Sequence, residues 1–318
     1  MNDIFRQILL KVSTLTALRL LFTNRNFLAI KKRFIAGDTI DDAIRVAKYL
    51  ANNNLLSTID FLGEEVKNKI KAKDARECYI KLLKKIKENH LPASISVKPS
   101  HFGILIDENF CFDNLYELVE HTKNTDNFLC IDMEGFNLFE KTLHLHKKLV
   151  DKYFAVGIVV QAYLYRAEEI MREAIKNTYS VRLCKGAYRE PPSIAYQDKK
   201  EINKNYLKLA FLLVDNCKNF YDKFSSKGPQ YCGIGIATHD HNLIEAIIQY
   251  TKDKKIDKKH FEFQMLYGVR PQLQRKIVSL GYSLRIYVPF GKEWYSYTLR
   301  RMAERPSNFI FVARNILS

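Results

Sequence analysis

Hydrophobic residues in this chain change their spacing near residue 55. Before it they recur at helical intervals. Asp38, Thr39 and Asp41 resemble a helix start, and Ile40, Ala43, Ile44, Ala47 and Leu50 supply one apolar stripe. Beyond it, short apolar runs alternate with longer amphipathic stretches. Eight short runs read as strands: Ser57–Leu62, Ala93–Val97, Asn127–Met133, Ala155–Ala162, Tyr179–Leu183, Cys232–Ala237, His260–Met265 and Ser283–Pro289. Helix-length segments lie between them, among them Asp113–His121, Leu138–Val150, Arg166–Lys176, Asn203–Phe220, Leu243–Thr251 and Pro271–Leu280. Such alternation predicts parallel strands joined by helical crossovers. Eight units predict an α/β fold of (β/α)8 type, a TIM-like barrel, with an N-terminal helical extension. The expected division is 1–54, helical, and 55–318, barrel. A doubly wound open sheet is the alternative. The dinucleotide glycine fingerprint is absent: Gly233 and Gly235 begin a GxG, but Thr238 stands where the third glycine belongs.

The barrel reading makes a demand on the polar residues, because functional groups in such barrels sit at the C-terminal ends of strands. Polar residues do collect there: Glu64, Lys98, Asp132 with Glu134, Gln161, Arg182 with Lys185, Thr238 with His239 and Asp240, Gln264, and Tyr287. One such residue commonly just begins a loop; a set at all eight ends suits a ring around one mouth. Asp132, Arg182 and Glu262 fall inside apolar runs, where each needs a partner to offset desolvation. Near the C-terminus, Tyr297, Arg300, Arg301 and Glu304 are spaced three and four apart, so a helix brings them to one side. Guanidiniums grip a carboxylate with paired hydrogen bonds, and a phenol can wall an apolar ring. The bland reading of the same residues is a solvated charged face.

Composition narrows the class. The chain has 318 residues, 47% hydrophobic and 27% charged, which is globular and not disordered. Its net charge of +16 is concentrated in lysine-rich stretches, Lys67 to Lys87 and Lys252 to Lys259. These read first as solvated helix faces and second as an attraction to nucleic acid or an anionic membrane. The six cysteines form no CxxC pair, which fits free thiols in a reducing cytosol. The histidine pairs His144/His146 and His239/His241 have two-residue spacing, so no metal site is expected. Met1 to Thr23 is interrupted by Asp3, Arg6, Lys11 and Arg19, which argues for an amphipathic helix over a signal peptide or a span.

The runs Val181-Arg182-Leu183-Cys184-Lys185-Gly186-Ala187-Tyr188, Phe261-Glu262-Phe263-Gln264-Met265-Leu266-Tyr267-Gly268 and Tyr287-Val288-Pro289-Phe290-Gly291, followed by Tyr297, Arg300-Arg301 and Glu304, resemble proline dehydrogenase of the monofunctional bacterial type. The similarity extends from about Ser57 to the C-terminus. It implies FAD-dependent oxidation of L-proline to Δ1-pyrroline-5-carboxylate, with hydride passing from proline C5 to flavin N5. It further implies a membrane quinone as electron acceptor. By resemblance, Arg300, Arg301 and Lys98 bind the substrate carboxylate, Glu304 holds the arginines, and Tyr287 and Tyr297 wall the pyrrolidine ring. Asp132 and Arg182 take catalytic positions, Arg182 facing the flavin. Gln161, Lys185, Gly186, Ala187, Thr238 and His239 resemble FAD contacts, as does Ile131 through its backbone. Glu262 and Gln264 fall near the remote part of the cofactor, and Glu64 is a gate residue. A tyrosine at 287 goes with proline over 4-hydroxyproline.

The expected location is cytoplasmic, with peripheral attachment to the inner face of an anionic membrane as a further expectation drawn from the charge and the N-terminus. Three other readings stay open: a flavin barrel oxidising a related imino acid, a non-catalytic homologue, and a basic nucleic-acid-binding barrel. The spread of lysines over helices opposite the strand ends speaks against the last.

Overall fold

The computed structural model describes residues 31–295 and Tyr297. Eight parallel strands close in sequence order into a barrel: β1 (Leu56–Phe61), β2 (Ala93–Val97), β3 (Leu129–Ile131), β4 (Val156–Gln161), β5 (Val181–Cys184), β6 (Ile234–Ala237), β7 (Glu262–Leu266) and β8 (Ser283–Phe290). β8 returns to pair with β1 from Leu56↔Arg285 to Phe61↔Phe290, and closure leaves no sheet edge. The open-sheet alternative is thereby set aside.

Among the described residues the helices outside the barrel include α1 (Ile40–Ala51), α2 (Lys69–Glu88), α3 (Glu108–Asn124), α4 (Phe139–Val150), α5 (Ala167–Asn177), α6 (Lys199–Asp215), α7 (Cys217–Lys223), α8 (His241–Asp253) and α9 (Pro271–Ser279). Their starts follow local chemistry. Thr39 and Asp42 form a reciprocal capping box on α1. Asn68, Asp107, Asp198 and Asp240 cap α2, α3, α6 and α8 by accepting from backbone N–H groups. The apolar stripe of α1 is buried, and the segment before the helix is tied to the barrel: Ala36 N–H donates to Pro289 O, and Gly291 N–H donates to Gly37 O.

Some elements differ from expectation, two of them for clear local reasons. The long helix expected over Asn203–Phe220 begins earlier, at the Asp198 cap, and breaks at Asn216, whose side chain donates back to Leu212 O. The third strand is only three residues long. Asn127 uses its side chain to donate to Ala93 O, and past Ile131 the chain turns polar side chains toward the barrel mouth.

The strands are apolar outside and polar inside. Ile95, Val97, Leu183, Phe263, Leu284, Ile286 and Val288 are buried in the hydrophobic core, each contributing about 1.5–3 kcal/mol by burial. Arg182 on β5 bonds Ser96 on β2 and Gln264 on β7, contacts that only a path through the lumen allows. Arg285 on β8 likewise reaches Ser94 on β2. Barrels of this type more often fill the lumen with branched apolar residues. Here the lumen is a hydrogen-bonded polar column, and one glycine makes room for it. A Cβ on Gly235 of β6 would stand 2.3 Å from the Gln264 side-chain nitrogen. The GxG that begins like a nucleotide fingerprint is thus a packing device.

Candidate active site

At the C-terminal ends of the strands the barrel opens into a cavity of about 720 Å³. Its floor is a cluster of buried polar side chains. Arg182 Nη1 donates to Asp132 Oδ1 at 2.6 Å and to Ser96 Oγ at 3.0 Å, while its Nε donates to Gln264 Oε1 at 2.6 Å. The Tyr287 hydroxyl donates to Asp132 Oδ2 at 2.6 Å and accepts from Lys98 Nζ at 3.2 Å. Lys98 Nζ also meets Asp60 Oδ2 at 2.7 Å. The Tyr287 ring lies between two cations, 5.3 Å from Arg182 Cζ and 5.8 Å from Lys98 Nζ.

The charges fix one another's protonation. Burial works against the Lys98 ammonium, but the carboxylates of Asp60 and Asp132 outweigh it and raise its pKa. Lys98 therefore stays cationic. Burial first, then the charges of Asp132 and Asp60, push the Tyr287 phenol well above its ordinary range, so it remains a donor. Burial also raises the carboxyl of Asp60, opposed by Lys98. Beneath this cluster the Tyr79 hydroxyl donates to Ser96 O at 2.7 Å and accepts from Phe61 N at 2.9 Å.

The cavity wall carries the other residues singled out by sequence. Glu64, Gln161, Lys185, Gly186, Ala187, Thr238, His239, Gln264 and Tyr297 line it. Lys185 Nζ is held 2.9 Å from Asp240 Oδ2. Although burial opposes it, Lys185 brings the Asp240 carboxyl below its usual range. His239 Nε2 accepts from Leu266 N–H at 2.9 Å, which puts the ring proton on Nδ1. Gly186 has φ +110°, and a Cβ there would strike the Tyr163 ring at 2.3 Å. Glycine is thus required both by the backbone and by the packing behind it.

Two residues stand elsewhere. Ile131 is wholly buried in β3 and does not line the cavity. Glu262 is the first residue of β7, at the closed end of the barrel, where it pairs with Arg285 Nε at 2.6 Å. Arg300, Arg301 and Glu304 lie outside the described residues. Asp60, Tyr79, Ser96 and Arg285 escaped the sequence reading of the site, and Asp240 was seen only as a polar residue at a strand end. Asp60 and Arg285 carried the same signal as Asp132 and Arg182, a charge embedded in an apolar run. Among the described residues no group of three or more potential metal ligands converges.

Comparison with known proteins agrees with this geometry. A family profile described as Proline dehydrogenase matches residues 43–314. The chain belongs to the proline dehydrogenase family. Proline dehydrogenase 1 of Bacillus subtilis (strain 168) is 35% identical over 286 residues, covering 90% of this chain and 90% of that protein. Proline dehydrogenase of Deinococcus radiodurans is 33% identical over 295 residues, covering 91% and 90%. Among solved structures, proline utilization A of Bdellovibrio bacteriovorus, inactivated by N-propargylglycine, superposes with a TM-score of 0.78 at 26% identity. That likeness covers 87% of this chain and 32% of the larger protein. A proline dehydrogenase barrel with a polar lumen and an ion-paired floor is therefore the frame for the chemistry.

Proposed function

We propose that this proline dehydrogenase uses FAD to oxidise L-proline to Δ1-pyrroline-5-carboxylate and passes the electrons to a quinone. The observation that carries the reading is the buried Lys98–Asp132–Tyr287–Arg182 cluster at the floor of a large cavity. When bound, FAD would take a hydride from proline C5 at its N5.

The residues present fit such a cofactor. The cavity volume is that of a small-molecule or cofactor site. Arg182 Nη2 makes no hydrogen bond among the described residues, so a guanidinium edge remains available. Asn203 Oδ1, on the cavity wall, is buried without a partner. Gln161, Lys185, Gly186, Ala187, Thr238 and His239 would hold the cofactor, together with Gln264 and Arg182. Ile131 could reach it only through its backbone, and Glu262 only through Gln264.

The protein's own part is binding, orientation and electrostatics. Lys98, fixed by Asp60, presents a permanent cation for a carboxylate, and Arg300 and Arg301 would complete the clamp with Glu304 behind them. Tyr287, pinned by Asp132, and Tyr297 wall the substrate ring. Asp132 holds Arg182 and Tyr287 in register, so the reacting groups need not reorganise. Glu64, on the cavity wall, would serve as a gate. A helical region 1–54 before a barrel over 55–318 belongs to the same reading. So does a cytoplasmic location with peripheral contact to an anionic membrane, motivated by the net charge of +16.

The test is spectroscopic. Purified protein reconstituted with FAD should show oxidised flavin absorption, at about 380 and 450 nm, that bleaches on anaerobic addition of L-proline. A colourless protein after reconstitution would overturn the cofactor assignment. Flavin that bleaches with pipecolate but not proline would move the substrate.

A further inference from the structure

The polar column does not end at the active-site floor. Gln264 accepts from Arg182 Nε through Oε1 and donates through Nε2 to Glu262 Oε1 at 2.7 Å and to Cys232 Sγ at 3.4 Å. Glu262 in turn accepts from Arg285 twice, at 2.6 Å from Nε and 2.9 Å from Nη2. Arg285 is 1% exposed and is anchored further by Ser57 O at 3.0 Å and Pro229 O at 2.9 Å.

An amide side chain can be turned either way round, and its neighbours decide which. Reversed, Gln264 would face a carboxylate with its oxygen and a guanidinium with its NH2 group. Both contacts would then be repulsive. Glu262 therefore sets the polarity of the amide, and Arg285 fixes Glu262. The room for the amide comes from Gly235, which has no Cβ to displace it.

We propose that Glu262 and Arg285 are positioning residues for the Arg182 guanidinium, acting through the oriented amide of Gln264 from the closed end of the barrel. This rests on the reading that Arg182 faces a bound flavin. If that reading holds, displacing the cation lowers the preference of the site for reduced over oxidised flavin. A plug that merely filled the barrel would leave that preference alone.

The experiment replaces the pair together, Glu262→Leu with Arg285→Met, because apolar replacement of a buried ion pair is commonly neutral or stabilising. The reconstituted variant should keep the wild-type melting temperature within a few degrees, while its flavin midpoint potential moves to a more negative value. A tenfold weaker preference for reduced flavin corresponds to about 30 mV for a two-electron couple. kcat should fall roughly tenfold with KM for proline nearly unchanged, the pattern of an interaction made in the transition state. Glu262→Gln, whose amide oxygen can still accept from Gln264, should restore most of the potential. Gln264→Met leaves the ion pair intact and severs the link, and it should reproduce the negative shift even if the double variant does not fold. Wild-type potential in Gln264→Met, or in a folded double variant, would overturn the proposal. Wild-type protein that takes up no flavin would instead overturn the functional reading on which it rests.

Discussion

Two buried arginines occupy the same lumen and are used in opposite ways. Arg285, at the closed end, spends all three guanidinium nitrogens on protein acceptors: Glu262, Ser57 O, Ser94 and Pro229 O. Arg182, at the open end, bonds through Nε and Nη1 and has no partner for Nη2 among the described residues. A saturated guanidinium can only hold the fold; one with an unspent edge on a cavity can also hold a ligand. Burial alone does not separate them, since both are almost wholly enclosed. The number of donors left over does.

The comparison breaks most visibly at the saturated end. Arg285→Ala leaves the Glu262 carboxylate buried without its charge partner, and should cost about 3–5 kcal/mol of stability, read from urea unfolding midpoints. At the open end, Arg182→Met should cost about 10²–10³-fold in kcat. Its stability should fall less than that of Arg285→Ala, because Asp132 keeps Tyr287 and Ser96 as donors. Equal stability losses for the two variants would erase the distinction drawn here. Tyr287→Phe removes one donor to Asp132 and one acceptor for Lys98. A charged hydrogen bond is worth about 1.5–3 kcal/mol, so kcat/KM for proline should drop roughly ten- to a hundredfold with the fold intact. The smallest effect belongs to a partly exposed pair. Lys185→Met breaks the contact with Asp240, worth about 0–1 kcal/mol of stability. A change in melting temperature of more than a few degrees would mean that this pair is a structural anchor and not a cavity-wall contact.

Much of the barrel was legible because strand and helix periods differ and eight alternations leave few topologies. All eight apolar runs became strands, Ala93–Val97 with its expected bounds and the others with ends moved by one or two residues. A place for Glu262 near the cofactor is what the family resemblance implies. A strand drawn from His260 puts Glu262 mid-strand, whereas β7 begins at Glu262, which puts that residue at the closed end. Asp132 and Arg182 were legible as charges that needed partners, and they proved to partner each other. Asp60 and Arg285 were equally visible, but a lone charge in a run does not say which strand lies across the lumen from it. Tyr79 and Ser96 gave no signal, since a buried hydroxyl resembles any other until its acceptor is known. The Arg300, Arg301 and Glu304 constellation rests on sequence spacing and family likeness.

Gly235 has a consequence for anyone who would vary this protein. Its missing methyl and the Gln264 side chain occupy one shared volume on adjacent strands. The two positions therefore behave as a single heritable choice. A library that diversifies residue 264 on the present background can explore bulky side chains. One that first admits alanine at 235 forces the end of the Gln264 side chain to shift, and with it the orientation of a guanidinium two strands away.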